Sequence, residues 1–153
     1  MNTHLPAIST TFERESLVTF LDQFDQNVFN SEIDVKSWTE NNVPQKIGKS
    51  LTDYLLPEGG SIEREELFRR SKQLREEALD LDVIGISVPS ELSELMVNKM
   101  EDFVNEGREK KVLLDLRYEK ELIAGAVVES NGYILEHSMR SYFENRKGDG
   151  YGF

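Results

Sequence analysis

Few residues in this sequence have the types and spacing that acid–base or nucleophilic chemistry requires. The two histidines are His4, near the start, and His137, and neither forms a recognisable set with a serine and a carboxylate. The chain has no cysteine, which excludes a thiolate nucleophile, a disulfide and a cysteine-ligated zinc site. We therefore interpret His137 as a partly exposed residue at the end of a strand, and we predict no catalytic residue.

Acidic and glycine-rich stretches also lack the spacing of a ligand site. The run from Glu63 to Glu66 does not have the alternating carboxylates of a calcium loop, and it is typical of a solvated helix face. Gly148 and Gly150 open no helix, and no Gly-Lys-Ser or Gly-Lys-Thr loop follows a strand, as a phosphate-binding loop requires. We expect no metal and no cofactor.

Length and charge narrow the class of protein further. The 153 residues suffice for one ordinary domain or two very small ones. The 29 acidic and 18 basic residues give a formal net charge of −11, which repels nucleic-acid backbones and anionic lipid headgroups. No apolar run approaches the roughly 20 residues of a membrane-spanning helix, and the start resembles neither a signal nor a transit peptide. We predict a soluble, intracellular protein with no nucleic-acid partner and no direct membrane insertion.

The first 80 residues carry the periodicity of helices. Thr10 or Thr11 can cap the first of them, and the predicted spans are roughly 11–28, 33–39, 44–56 and 61–80. The apolar stripes of the first and third helices form either a core or, given the many nearby aromatic residues, a groove for a partner helix. The candidate partner-binding residues are Leu17, Phe20, Leu21, Phe24, Leu51, Tyr54 and Leu55.

The pattern changes after residue 80. Apolar and polar residues alternate over Val83–Val88 and again over Lys111–Tyr118, which predicts two strands. Between them, Ser90 can cap a helix whose apolar positions recur every three or four residues until Gly107. The sequence therefore predicts strand, helix and strand in this region.

A tight hairpin is predicted from the turn residues that follow. Two short apolar runs flank Asn131-Gly132, and both of these residues accept the positive φ angles of a type I′ turn. Ala124-Gly125 stands at the entry to the first strand of this hairpin, where a strand would prefer larger side chains. We expect close packing or an unusual backbone angle at Gly125.

A last helix is predicted over 139–146, capped by Ser138. Its apolar positions are Met139, Tyr142 and Phe143. The predicted fold class is α+β, with a helical bundle followed by a small domain of order β-α-β-β-β-α. We place the N-terminal helical domain at 1–80, the C-terminal domain at 81–146 and a flexible tail at 147–153.

Residues 83–144 resemble the C-terminal domain of the delta subunit of rotary F-type ATP synthases, called the oligomycin-sensitivity-conferring protein in mitochondria. The segment Leu122–Gly132 is similar to the family's aliphatic, small-Gly, aliphatic strand with its polar turn. The segment Glu136–Arg140 stands where the family usually has Asp-x-Ser-aliphatic-Arg. The residues that carry this structural signature are Ala124, Gly125, Asn131, Gly132 and Ser138.

The resemblance implies a noncatalytic stator subunit without a cofactor. Its helical domain would bind the N-terminal segments of the alpha subunits, and its C-terminal domain would bind the b-type subunits of the peripheral stalk. It would lie in the cytoplasm, peripheral to the inner membrane, as part of the synthase. The alternatives are a small cytosolic α+β enzyme and a protein-binding module with an unrecognised site. A different stalk subunit would require long coiled-coil heptads, which this sequence lacks.

Overall fold

The computed structural model describes residues 6–30, 34–56 and 62–138. Within these ranges, four helices are followed by a four-stranded mixed sheet that carries one further helix, which confirms the α+β class. The last predicted helix, over 139–146, and the predicted tail, over 147–153, lie outside the described residues. The chain divides into two compact units: a helical unit, up to Leu81 with Arg108–Lys111, and a sheet unit, Asp82–Gly107 with the chain from Val112 onward.

The helical unit contains α1 (Thr11–Asn27), α2 (Val35–Asn42), α3 (Gln45–Leu55) and α4 (Arg64–Leu79). Thr10 caps α1 through a capping box, in which its side chain accepts a hydrogen bond from the Glu13 N–H at 3.2 Å. The Glu13 carboxylate in turn accepts from the Ser9 N–H at 2.6 Å and from Lys46 Nζ at 2.9 Å. One acidic side chain therefore ties the start of α1 to α3.

The core of the helical unit is built by the apolar stripes of α1, α3 and α4. Arg75 of α4 forms ion pairs with Asp22 and Asp25 of α1. Arg64 Nη1 donates to the Val28 carbonyl at 2.8 Å, just beyond the end of α1. The buried apolar side chains include Leu17, Leu21, Phe24, Ile47, Leu51, Leu55, Leu67, Leu74 and Ala78.

Two predicted helix starts are wrong. α4 begins at Arg64 with Glu63 as its N-cap, so residues 62 and 63 of the predicted span 61–80 precede the helix. The helix between the first two strands begins after Ser93, not after Ser90, because the Ser93 side chain accepts a hydrogen bond from the Met96 N–H at 3.4 Å. Several residues near each start could serve as a cap, and the sequence does not rank them.

The sheet unit contains β1 (Asp82–Val88), α5 (Glu94–Asn105), β2 (Val112–Tyr118), a 3-10 turn (Lys120–Leu122), β3 (Gly125–Ser130) and β4 (Tyr133–Ser138). The strand order is β2-β1-β3-β4. β1 is parallel to β2 and antiparallel to β3, and β3 and β4 form the predicted hairpin. The strands and α5 follow the predicted order, β-α-β-β-β.

Side chains alternate between the two faces of this sheet. The face that carries α5, here named the helix face, includes Ile84, Ile86 and Val88 of β1 with Val112 and Leu114 of β2. Leu92, Val97, Met100 and Val104 pack against this cluster from α5 and the segment before it. The opposite face carries Gly85, Ser87, Asp115, Arg117 and Glu129.

Candidate partner-binding site

The seven candidate residues of the helical unit lie inside it. Six are buried and Tyr54 is half-buried. Trp38 of α2 packs against two of them, with ring centroids 4.9 Å from Phe20 and 5.6 Å from Phe24. Because α2 covers the aromatic side chains of α1, these residues form a core and line no open groove. Their binding of a partner stays a prediction.

Tyr54 is the member of this set that reaches solvent. Its backbone carbonyl accepts a hydrogen bond from Arg70 Nη1 of α4 at 3.1 Å. Burial, and next the charge of Glu77, raise the pKa of its hydroxyl above the usual value, so Tyr54 is neutral at physiological pH. It acts as a packing residue between α3 and α4.

The signature residues of the sheet unit adopt the expected turn geometry. Asn131 and Gly132 have φ angles of 49° and 80°, and Ser130 pairs with Tyr133 directly beside them, which makes a two-residue hairpin. Gly125 has a φ angle of 95°, which confirms an unusual backbone angle there. It pairs with Ser138 at the far end of the β3–β4 ladder.

An unpredicted feature lies just before this strand, at Ile123. Its φ and ψ angles are 64° and −56°, and the Ala124 N–H donates to the Leu122 carbonyl at 2.6 Å across it. This is the rare, strained form of the γ-turn, and a β-branched residue is an outlier in it. The turn buries the Leu122 side chain completely and leaves Ile123 67% exposed.

Ile123 shares one end of the sheet with other exposed apolar side chains. It lies in the connection that follows β2, and Tyr118, the last residue of β2, is exposed. α5 starts where β1 ends because it joins two parallel strands, so exposed Leu95 in its first turn lies at the same end. We name Leu95, Tyr118 and Ile123 the carboxyl-end surface.

The opposite face of the sheet carries an ion cluster instead. Arg117 Nη2 lies 2.8 Å from Asp115, and its Nη1 lies 2.8 Å from Glu129. Arg117 donates hydrogen bonds to the carboxylates of Asp115 and Glu129, and these bonds raise its pKa further above its already high value. Ser87 donates to Glu119 at 2.7 Å. The Arg117–Glu129 pair therefore joins β2 to β3 across β1, and the Ser87–Glu119 bond joins β1 to the connection after β2.

Among residues 6–30, 34–56 and 62–138, no group of three or more His, Asp or Glu side chains is arranged to hold a metal ion. His137 is exposed on β4, opposite Ala126 on β3, and His4 lies outside the described residues. In the same part of the chain, no helix is long and apolar enough to cross a membrane.

Comparison with known proteins finds similarity to solved structures only. No protein-family model matches the chain, and no curated protein matches it. Among solved structures, a chain in the cryo-EM structure of the Toxoplasma gondii mitochondrial ATP synthase hexamer is similar to this one, with a TM-score of 0.39 and 12% sequence identity. The match covers 90% of this chain and 83% of that chain. Similarity at this level assigns neither a family nor a function.

Proposed function

We propose that this chain is a noncatalytic stator subunit of a rotary F-type ATP synthase, which links the peripheral stalk to the catalytic head. The family resemblance of residues 83–144 supports this proposal. The observation that carries it is the exposed side chain of Ile123, held on a strained turn inside the segment that carries the resemblance.

The backbone angle of Ile123 and the exposure of its side chain both lower the stability of the isolated chain. A left-handed backbone costs a residue with a Cβ atom roughly 1–2 kcal/mol. An exposed isoleucine also forgoes the roughly 1.5–3 kcal/mol that burial of such a side chain contributes. Backbone strain of this kind concentrates at sites that bind partners or substrates. A partner that covers Ile123 would recover the free energy of burying its side chain. We therefore assign stalk binding to the carboxyl-end surface.

We propose a contact with the head through exposed side chains that lie outside the predicted set. Since the stripe of α1 is internal, the exposed phenylalanines among the described residues of the helical unit are Phe12, which is 76% exposed, and Phe29. Phe29 packs against Phe68 of α4 with ring centroids 5.6 Å apart, and Lys72 Nζ lies 4.5 Å from the centre of the Phe68 ring. We propose that these outward-facing rings bind the N-terminal segments of the alpha subunits.

The stalk contact is tested with a matched pair of isoleucines. Ile123 and Ile134 are 67% and 69% exposed, but they lie in different places. Ile123 belongs to the carboxyl-end surface, whereas Ile134 lies on β4, on the face of the sheet that does not carry α5. We expect Ile123→Asp to weaken binding to the purified b-type stalk subunit at least about tenfold, or 1.4 kcal/mol. Ile134→Asp should stay within about twofold of the parent. Biolayer interferometry with immobilised b-type subunit measures both.

Two results would overturn the proposal. One is absence of binding by the parent chain at concentrations where its circular dichroism shows the folded state. The other is an equal loss of affinity in both variants, which would mean that added negative charge rather than the carboxyl-end surface controls binding. The head contact is tested separately, by titration of an alpha-subunit N-terminal peptide into the parent and into Phe12→Asp, with amide chemical shifts as the readout.

A further inference from the structure

The carboxyl-end surface lies at the ends of strands and not along an edge of the sheet. The connection from β2 to β3 crosses the end of β1, because β1 stands between these two strands. Ile123 lies in this connection, whereas the edges of the sheet are the long sides of β2 and β4. An extended peptide joins a sheet through such an edge, so a partner at the end of β1 contacts side chains instead. An amphipathic helix presents the apolar face that this contact requires.

Acidic residues stand beside the apolar side chains of this surface. Glu91 lies in the segment between β1 and α5, Glu94 is the first residue of α5, and Glu121 lies in the 3-10 turn after β2. All three are exposed, and we name them the acidic rim. Glu94 directly precedes Leu95, and Glu121 precedes Ile123 by two residues. The rim therefore belongs to the same two segments that supply the apolar surface.

Positive groups near the acidic rim do not cancel its charge. Lys120 is the one basic residue in the sequence of the two segments, 89–96 and 119–124. The amino end of α5 adds about half a positive charge, so together they offset only part of the three negative charges. Glu119 is left out of this comparison, because its carboxylate accepts a hydrogen bond from Ser87 on the opposite face, at 2.7 Å. The connection between α5 and β2, by contrast, carries three basic and two acidic residues, so the acidity is local to the carboxyl end.

We propose that the occupant of the carboxyl-end surface is an amphipathic helix whose apolar stripe is flanked by lysine or arginine residues. This inference rests on the proposed function and specifies which kind of segment of the b-type stalk subunit binds. The apolar stripe covers Leu95, Tyr118 and Ile123, and the flanking cations pair with the acidic rim. Lysine and arginine suit this position, because their alkyl stems extend an apolar contact while their charged ends stay in water.

The exposure of the rim decides which step of binding it controls. Ion pairs between exposed side chains contribute little to affinity, but a charged surface raises the rate at which an oppositely charged partner associates. The apolar side chains therefore hold the helix, and the rim guides it to them. A second copy of the chain fits this surface poorly, since it would bring together two rims on chains that each carry a net charge of −11.

Two variants with the same net charge test the position of the rim. The rim variant changes all three rim residues to glutamine. The control variant neutralises three exposed acidic residues near the other end of α5, by Asp102→Asn, Glu106→Gln and Glu109→Gln. Association with the immobilised, purified b-type subunit is followed by biolayer interferometry in about 0.01 M and about 1 M salt, where the screening length is about 30 Å and about 3 Å. Circular dichroism verifies that each chain is folded.

In low salt we expect the rim variant to associate about tenfold more slowly than the parent, and the control variant to stay within about twofold of it. In high salt the three rates should converge, because the rim is screened. Hydrogen exchange on the b-type subunit should locate the bound segment in a helix with basic residues beside its apolar stripe.

Equal low-salt rates for the rim and control variants would overturn the inference, since overall charge would then explain the effect. A rim variant that associates as fast as the parent would do the same, and so would a bound segment without flanking basic residues. In each of these cases, weaker binding by Ile123→Asp would still support the stalk contact. A parent chain that does not bind the b-type subunit overturns both the inference and the proposed function.

Discussion

Arg117 on β2 reaches across β1 to Glu129 on β3, with 2.8 Å between Nη1 and Oε2. The residue of β1 beneath this ion pair is Gly85, which pairs with Asp115 on one side and Glu129 on the other. A Cβ atom at Gly85 would lie 3.4 Å from Glu129 and 3.5 Å from Arg117 Nη2. The glycine therefore leaves room for the guanidinium to bridge two strands over a third.

Substitution of Gly85 tests this arrangement. Gly85→Ala should stabilise the fold by about 0.4–1 kcal/mol, because its φ angle is not left-handed and the added methyl makes ordinary contacts. Gly85→Leu should destabilise it by about 1–3 kcal/mol, because the larger side chain must displace Arg117 or Glu129. Urea unfolding followed by circular dichroism measures both, and a leucine variant as stable as the parent would contradict the bridge.

The Glu13 carboxylate should make stability depend on pH. Burial opposes its ionisation, but hydrogen bonds from Lys46 and the Ser9 N–H outweigh that effect and lower its pKa below 4.5. Its charge therefore stabilises the fold above about pH 4.5, and that contribution disappears as the pH falls through the folded-state pKa. Glu13→Gln keeps a capping-box side chain but removes the charge.

We expect Glu13→Gln to lower the free energy of unfolding by about 0.5–1 kcal/mol at pH 7. The difference from the parent should shrink at pH 3, where the parent carboxyl becomes protonated in the unfolded state and increasingly in the folded state. Urea titrations at the two pH values give the comparison. A deficit that does not change between pH 7 and pH 3 would mean that the loss arises from geometry and not from charge.

Two phenylalanines of α1 distinguish a core stripe from a binding groove. Phe24 is completely buried against Trp38, whereas Phe12 points outward. Phe24→Ala should destabilise the chain by about 3–5 kcal/mol, since it leaves a cavity. Phe12→Ala should change stability by less than about 0.5 kcal/mol. If thermal unfolding shows equal small effects, the stripe of α1 is available to a partner after all.

Replacement of Ile123 by glycine should stabilise the fold but weaken binding to the stalk. Ile123→Gly relieves the left-handed backbone and should raise the free energy of unfolding by about 1 kcal/mol. The same variant lacks the exposed side chain and should bind the b-type stalk subunit less tightly than the parent. Calorimetry and interferometry on one preparation measure both quantities. A variant that is stabilised but binds like the parent would remove Ile123 from the stalk contact.

Local patterns in the sequence predict most elements of this fold. The spacing of apolar residues locates α1, α3, β1 and α5, and the chemistry of Asn131-Gly132 specifies the hairpin. The strand order β2-β1-β3-β4 is not contained in any local pattern. It depends on which apolar faces meet after the chain has folded, and several orders satisfy the same alternation.

The candidate site was harder to predict than the fold. An apolar stripe has the same appearance in the sequence whether it is closed by a neighbouring helix or left open, and Trp38 decides this for Phe20 and Phe24. The sequence does not predict the positive φ angle of Ile123, because a β-branched residue is ordinarily favoured in strands and disfavoured at positive φ. Its conformation is imposed by the buried position of Leu122 and the start of β3 at Gly125.

The central position of β1 has a consequence for synthesis of the chain on the ribosome. Both strands that pair with β1 come later in the sequence, and β2 ends about thirty residues after Val88. At about 5–20 residues per second, β1 waits roughly 2–6 seconds for its first partner. Val83–Val88 contains no charged residue, and its uncharged, β-branched composition is typical of segments that aggregate. A nascent chain that ends before β3 therefore exposes one unpaired edge of β1, which is a site where another chain could pair with it.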